Sequence, residues 1–356
     1  MGATAVPCSA PGEHPPIVDL ANYEERKEEI TQQLMDAATK SGFFYVKNHG
    51  VPQELIDREF EVNKGYFKLP EEVKTSLPQV KWASHELLGH EAPNRVSEGV
   101  VREGHFKWWD THKVADTAYP DEKLVPGFKD TTKEFMASMP QVYDRVLSCF
   151  AKGLGYPEDF FVATSDPKDS DNYSVFVVNF YPKTAGTEWK PDTNRISPHT
   201  DETLVTLLFT SPGSAGLEVA AGKDGKAVDS KEGHYAVESW HPCPHIPGCI
   251  VVNVGDSLQA WSDGVLKSNF HRVRMPTPGE PTSERYSMGY FVWPRYSDVI
   301  QGPLKKYPGI TFARFMDVKS KGFGYVLSPD QELYEHAQQN TVVLGMPIVA
   351  QGIAAA

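Results

Sequence analysis

The 356-residue sequence is short of several things, and each shortage narrows what the chain can be. It holds four cysteines, Cys8, Cys149, Cys243 and Cys249, too few and too scattered for a disulfide framework, so a reducing compartment fits. It lacks a basic excess. Asp and Glu number 47 against 35 Lys and Arg, and a net charge of −12 does not suit a partner whose phosphates need neutralising. No apolar run is long enough to cross a bilayer, and the first residues have neither the basic start nor the apolar core of a secretory leader. The expectation is therefore no nucleic acid, no membrane, and the cytoplasm by default. With 40% hydrophobic and 23% charged residues, the balance is that of an ordinary folded protein.

What is present changes character along the chain. Residues 16–20 and 43–48 read as strands, and residues 23–40 and 52–67 as amphipathic helices by the spacing of Ile30, Leu34, Ala37, Ala38 and of Leu55, Phe60, Tyr66. Pro70 opens a short helix. Residues 80–128 show no sustained period and read as irregular with short strands. A helix returns from about 130 to 155. From Tyr173 onward, short β-branched and aromatic runs alternate with Gly and Pro: Tyr173–Tyr181, Leu204–Phe209, Leu217–Val219, Ile250–Val254, Asn269–Met275 and Arg285–Trp293. That spacing suggests an antiparallel sandwich or jelly roll. The expected organisation is an N-terminal mixed α/β region over 1–130, a helix and jelly-roll core over 131–310, and a helical tail over 311–356 that docks on or near the core.

The chemistry concentrates in Ser197-Pro198-His199-Thr200-Asp201, which leads into an apolar run ending at Phe209. In an extended chain, residues i and i+2 share a face, so His199 and Asp201 point the same way. Alone, the pair is a weak motif, equally a polar turn before a buried strand. His271 follows in an apolar strand, and two imidazoles with one carboxylate make the open facial site suited to non-haem Fe(II), although zinc also accepts these ligands. Arg285 and Ser287 form another i, i+2 pair after a Pro-rich turn over 276–281. If that turn closes a hairpin, they share an inner face with His271 and make a carboxylate receptor. Asn179 and Tyr181 are a third such pair. Phe291, Trp293 and Val177 continue the same faces and are candidate substrate neighbours.

These residues resemble the iron(II)/2-oxoglutarate-dependent dioxygenases of the isopenicillin N synthase-like branch. The likeness runs from Gly42-Phe43-Phe44-Tyr45-Val46-Lys47-Asn48-His49-Gly50-Val51 through Asn179-Phe180-Tyr181-Pro182 and His199-Thr200-Asp201. It continues in Gly216-Leu217-Glu218-Val219, Asn253-Val254-Gly255-Asp256, His271-Arg272-Val273 and Arg285-Tyr286-Ser287. Departures are few: Ser262-Asp263-Gly264 stands where that family often has Thr-Asn-Gly, and it touches no ligand. The resemblance implies a mainly β fold with flanking helices and a double-stranded β-helix core. It implies Fe(II) on His199, Asp201 and His271, and 2-oxoglutarate with its far carboxylate on Arg285 and Ser287, near Asn179 and Tyr181. With O2, such a centre oxidises a small molecule by hydroxylation, desaturation or ring change and releases succinate and CO2, commonly in specialised metabolism. Rival readings are an oxidase that uses no 2-oxoglutarate, a binding module that kept the fold, and a zinc hydrolase.

Other features invite a site and are read as structural. His241-Pro242-Cys243-Pro244-His245 with Cys249 has metal-ligand residue types, but its prolines fix the backbone. His85, His90, His105 and His112 read as surface residues, Trp108-Trp109 as packing, and Cys149 as a small core residue. The apolar tail over 342–356 reads as docking on its own core.

Overall fold

The computed structural model describes residues 14–77, 80–82, 85–91, 102–112, 115, 118–184, 193–220 and 239–320. In chain order, β1 (Ile17–Asp19), α1 (Lys27–Lys40), β2 (Phe43–Lys47), α2 (Gln53–Phe67) and α3 (Glu71–Thr75) lead to β3 (Val80–Trp82), β4 (His85–Glu91) and β5 (Glu103–Lys107). Next come α4 (Phe128–Ala137), α5 (Pro140–Gly153), α6 (Phe160–Thr164), β6 (Val175–Tyr181), β7 (Asn194–His199), β8 (Val205–Thr210), β9 (Leu217–Ala220) and β10 (Trp240–Pro242). The described chain closes with β11 (Cys249–Val254), α7 (Asp256–Trp261), β12 (His271–Arg274), β13 (Arg285–Val292), β14 (Val299–Ile300), β15 (Ile310–Thr311) and α8 (Phe312–Ser320). The expected C-terminal tail beyond 320 lies outside the described residues.

Nine strands form the major sheet in the order β1-β2-β11-β8-β13-β6-β5-β4-β3, and four form the minor sheet, β10-β9-β12-β7. Side-chain alternation sorts the major sheet into two faces. Tyr286, Met288, Tyr290 and Val292 of β13 enter a large core with Leu34, Phe60, Phe135, Val146 and Phe150 from α1, α2, α4 and α5. On the other face, Phe43, Tyr45, Tyr181 and Val251 meet Leu217, Val219 and Val273 of the minor sheet. This second, smaller core is the interior between the sheets, and the jelly-roll expectation holds. Strands β1 and β2, from the first fifty residues, belong to the same sheet as β11 and β8.

The helix expected over 130–155 is two helices. Pro140 stands at the first turn of α5, where its missing N–H costs nothing, and the chain bends at Ser138 and Met139. The turn over 276–281 does not close a hairpin either. β12 pairs with β7 and β9, whereas β13 pairs with β6 and β8, so the segment between them crosses from one sheet to the other. Three histidines read as surface residues pack inward: His90 and His105 are buried, and the rings of His105 and His112 stack on Tyr66 and Tyr173. The Trp pair does pack, with Trp108 against Tyr173 and Trp109 Nε1 donating to Tyr290 Oη at 2.6 Å.

The helix-side core buries a lysine and a glutamate bridged by an asparagine. Lys107 Nζ donates to Asn63 Oδ1 at 3.1 Å, and Asn63 Nδ2 donates to Glu59 Oε1 at 2.7 Å. The ammonium also lies 4.8 Å from the ring centroid of Phe176 and 5.3 Å from that of Phe128. Burial pushes Glu59 up and Lys107 down, each opposed by the charge of the other.

A tight corner joins α1 to β2. Gly42 adopts φ +72°, and a Cβ there would stand 1.8 Å from the carbonyl oxygen of Lys267. Around it, Val254 N donates to Gly42 O at 2.9 Å and Asn269 Nδ2 donates to Ser41 O at 3.2 Å.

Candidate active site

His199 is the last residue of β7, in the minor sheet, and Asp201 lies in the short connection to β8, in the major sheet. The two therefore converge across a change of sheet and not along one extended strand, as the i, i+2 spacing suggests. The connection is fixed by the segment after β11. Asp256 N donates to Asp201 O at 2.8 Å, Gly255 N donates to Leu204 O at 3.0 Å, and Thr200 Oγ1 donates to Asp256 Oδ2 at 2.9 Å. Gly255 has to be glycine, because a Cβ would stand 2.2 Å from Thr203 O. The third residue arrives by pairing: His271 opens β12 and sits directly opposite His199 in the ladder.

Candidate ligand atoms of His199, Asp201 and His271 lie within 4.8 Å of one another. Both imidazole Nε2 atoms are 3.6 Å from Asp201 Oδ1, and the two ring centroids are 4.1 Å apart. Each ring spends its other nitrogen on the backbone. His199 Nδ1 meets Ser197 O at 2.9 Å and His271 Nδ1 meets Asn269 O at 3.3 Å. A carbonyl only accepts, so each Nδ1 donates to it and each Nε2 is the atom turned toward Asp201. Burial, and then the neighbouring His199 ring, hold His271 below its ordinary value, which keeps it neutral. Burial works against ionisation of Asp201, but the two imidazoles and the donors on Oδ2 outweigh it, and its carboxyl falls below the usual range. Those donors are Thr206 Oγ1 at 2.8 Å and Asn253 Nδ2 at 2.7 Å, which face each other across β8 and β11. They leave Oδ1 free to face the imidazoles.

Three potential ligand atoms thus converge, two imidazole nitrogens and one carboxylate oxygen, an arrangement that could hold a cation. The set has the two-His-one-carboxylate composition of a non-haem iron site. Asp201 is 4% exposed and His199 30% by side chain, so the site opens on the His199 side. A second group, Glu71, His90 and Glu103, also has metal-ligating types within reach of one another. Its cation is already present. Lys74 Nζ lies 2.6 Å from Glu103 Oε2 and 3.1 Å from Glu71 Oε2. These are the two such groups among the described residues, and the segment His241–His245 with Cys249 forms neither. Tyr45 Oη donates to Pro244 O there, and His245 Nδ1 is 3.1 Å from Thr210 Oγ1.

The β13–β6 ladder carries the residues of the expected carboxylate receptor. Arg285 stands opposite Tyr181, and Ser287 opposite Asn179, in the β13–β6 ladder. Arg285 is buried; one Nη donates to Ser287 Oγ at 3.4 Å and its Cζ is 4.5 Å from the Tyr181 ring centroid. Its Nε has no hydrogen-bond partner. Asn179 Oδ1 accepts from Arg102 at 3.0 Å, and Arg102 pairs with Glu91 at 2.6 Å. Val177 lies between Gly289 and Phe106 in neighbouring strands, and Phe291 leans over Gly289, where a Cβ would meet its ring at 2.9 Å. Trp293 lies tilted against Tyr296 and Phe312, with ring centroids 6.2 and 5.7 Å away, and belongs to the helix-side core, as does Val177, with Phe291 packed against it.

Arg102 and Arg195 are missing from the sequence reading. Arg195 is buried on β7, with its Cζ 5.6 Å from the same Tyr181 ring. Burial and then the charge of Arg285 push it down to about 10. Its position four residues before His199, in the strand that carries a candidate metal ligand, was the available signal.

Comparison with known proteins adds independent findings. Residues 172–294 match the model of the 2OG-Fe(II) oxygenase superfamily, and residues 15–137 match one described as non-haem dioxygenase in morphine synthesis N-terminal. The proline hydroxylase buaE of Petromyces alliaceus is 31% identical over 280 residues, 75% of this chain and 82% of its own. Validamycin A dioxygenase of Streptomyces hygroscopicus subsp. limoneus is 30% identical over 297 residues, 78% of this chain and 76% of its own. Among solved structures, a full-length Neurospora crassa protein in complex with alpha-KG and thymine superposes with a TM-score of 0.74. At 22% identity, covering 89% of this chain and 99% of that one, it is a likeness of fold. With the family match, the relatives and the convergent His-Asp-His group in hand, the chain belongs to the 2OG-Fe(II) oxygenase superfamily and is an iron- and 2-oxoglutarate-dependent dioxygenase with a jelly-roll core.

Proposed function

We propose that His199, Asp201 and His271 hold the iron, that Arg285 and Ser287 hold the far carboxylate of 2-oxoglutarate, and that Asn179 and Tyr181 border it. When bound, iron and 2-oxoglutarate supply the oxidising chemistry, in which the co-substrate becomes succinate and CO2 as O2 oxidises a C–H bond of the substrate. The chain's own work is to orient, to neutralise and to keep water out. Thr206 and Asn253 turn one oxygen of Asp201 toward the metal position, and two backbone carbonyls fix both imidazoles in the ligating tautomer. Phe43, with its ring centroid 5.2 Å from that of His271, shields the triad from behind.

The substrate is a small molecule of specialised metabolism. Relatives named proline hydroxylase and validamycin A dioxygenase support a compact polar metabolite, and the polar lining of Asn179, Arg102 and Glu91 fits one. The observation that carries the reading is the convergence of two imidazole nitrogens and one carboxylate oxygen within 4.8 Å of one another. The test is anaerobic addition of Fe(II) and 2-oxoglutarate, watched for a weak visible charge-transfer band, followed by O2 and a panel of small polar metabolites with succinate measured. Binding should vanish in His199→Ala and Asp201→Ala. Substrate turnover without 2-oxoglutarate would sink the co-substrate assignment.

A further inference from the structure

Two guanidiniums approach one phenol ring, and the reading above uses only one of them. Arg285 lies 4.5 Å from the Tyr181 ring centroid on β13, and Arg195 lies 5.6 Å from it on β7, so they come from opposite sheets. Arg195 is 2% exposed, and its Nε and one Nη are buried without a hydrogen-bond partner. A guanidinium does not shed its charge, so burying one without an acceptor is costly. Stacking on Tyr181 does not relieve that cost, because a ring face leaves the in-plane N–H groups unsatisfied. The nearby acid is committed elsewhere: both oxygens of Glu280 accept from Arg274, at 2.6 and 2.7 Å.

The backbone brings Arg195 to this place by a local irregularity. Between His271 and Arg274, β12 advances three residues while β7 runs from His199 back to Asn194, with register shifts on both sides of the Val273–Ile196 pair. Arg195 lies within the second shift. Bulges of this kind re-aim a side chain. Here the result is a charged group turned onto the ring that also carries the co-substrate's anchor.

We propose that Arg195 is a second positioning residue for 2-oxoglutarate, donating to the far carboxylate from the minor sheet while Arg285 and Ser287 hold it from the major sheet. A carboxylate offers about four lone-pair directions, enough for a fork from Arg285, the Ser287 hydroxyl and one further donor. The co-substrate's distal end then ties the two sheets together, and the site prefers a 2-oxo dicarboxylic acid over a 2-oxo monoacid more steeply than one arginine would give. This inference rests on the assignment of Arg285 and Ser287 above.

The test is anaerobic titration of the Fe(II)-loaded protein with 2-oxoglutarate and with 2-oxopentanoate, which has the same chain length without the far carboxylate. In Arg195→Gln, the dissociation constant for 2-oxoglutarate should rise about 10- to 100-fold, as expected for a lost hydrogen bond to a charged group, and that for 2-oxopentanoate should stay within about twofold. Thermal unfolding supplies a readout that a merely structural role would move the other way. The metal-free, ligand-free variant should unfold no earlier than the wild type, since a bare buried charge is gone, while its stabilisation by added 2-oxoglutarate shrinks. Should the Gln variant fail to fold, Arg195→Lys carries the test, with several-fold weaker binding expected for the dicarboxylate alone. Unchanged 2-oxoglutarate affinity, or equal loss for both acids, overturns the proposal. Arg285→Gln separates the two levels. If it loses 2-oxoglutarate and Arg195→Gln does not, the co-substrate site stands and the role of Arg195 falls. If the wild type itself does not prefer 2-oxoglutarate over 2-oxopentanoate, the underlying assignment falls.

Discussion

Replacing Thr206 with Val removes one of the two hydrogen bonds behind Asp201, and with it the partner of the buried Thr203 hydroxyl at 3.1 Å. The substitution is close to isosteric and suits a strand, so it leaves no cavity in β8. It deletes the Thr206 Oγ1 donor at 2.8 Å from Asp201 Oδ2 and leaves Asn253 Nδ2 at 2.7 Å on the same oxygen. A hydrogen bond to an ionised acceptor contributes about 1.5–3 kcal/mol, and each 1.4 kcal/mol or so is tenfold in an equilibrium constant. Fully expressed in metal binding, the loss raises the Fe(II) dissociation constant about 10- to 100-fold, the usual range for groups that orient a ligand. Anaerobic Fe(II) titration by tryptophan fluorescence measures it, with Thr206→Ser as the control that keeps the hydroxyl and should stay within about threefold. Because Asn253 serves the same oxygen, Thr206→Val and Asn253→Ala together should fall short of, or exceed, the sum of the single effects. Fe(II) affinity within twofold of wild type in Thr206→Val would refute the claim that Oδ2 hydrogen bonding orients Oδ1.

Two further outcomes concern stability. Lys107→Met strands the Glu59 carboxylate in the helix-side core and should cost about 3–5 kcal/mol, whereas Lys107→Met with Glu59→Gln should recover most of it; urea midpoints that do not differ between single and double variants would disprove the pairing. Asp144 is half-buried, and burial followed by the charge of Asp166 pushes its carboxyl up to about 6. A raised carboxyl favours the folded state at low pH and loses that contribution as pH climbs from about 4 to about 6. Asp144→Asn should therefore raise the unfolding temperature at pH 7.5, by an amount equivalent to about 1 kcal/mol after allowing for solvent screening, and give no gain at pH 4. An equal gain at both values would contradict the mechanism.

The parts legible in the sequence are those in which side-chain chemistry and local composition agree. β6, β8, β11 and β13 are β-branched and aromatic runs, and the structure places strands there. His199, Asp201 and His271 stood out as ligand types, and they do converge. β7 was not legible because Asn194-Arg195-Ile196-Ser197-Pro198-His199 has a polar composition with a proline, and only its pairing with β12 makes it a strand. Without β7, the change of sheet between His199 and Asp201 is invisible, and so is the facing of Arg195 toward Arg285. The crossing between β12 and β13 was hidden for the same reason. A Pro- and Gly-rich turn shows that the chain reverses, not which sheet receives it. The Lys74 group drew no attention because its members lie on α3, β4 and β5 and meet only through tertiary packing.

The corner at Gly42 has a consequence for how such chains can be recombined. Ser41 O receives Asn269 Nδ2, and Asn269 O in turn faces Nδ1 of His271, so a residue near position 40 is two hydrogen bonds from a proposed metal ligand more than 200 positions later. A chimera that takes its first third from one relative and the remainder from another cuts through this contact while leaving every ligand in place. Its iron affinity would then depend on whether the borrowed corner matches the host's segment 267–269. Crossover libraries built on this scaffold should keep residues 41–43 and 267–271 from the same parent.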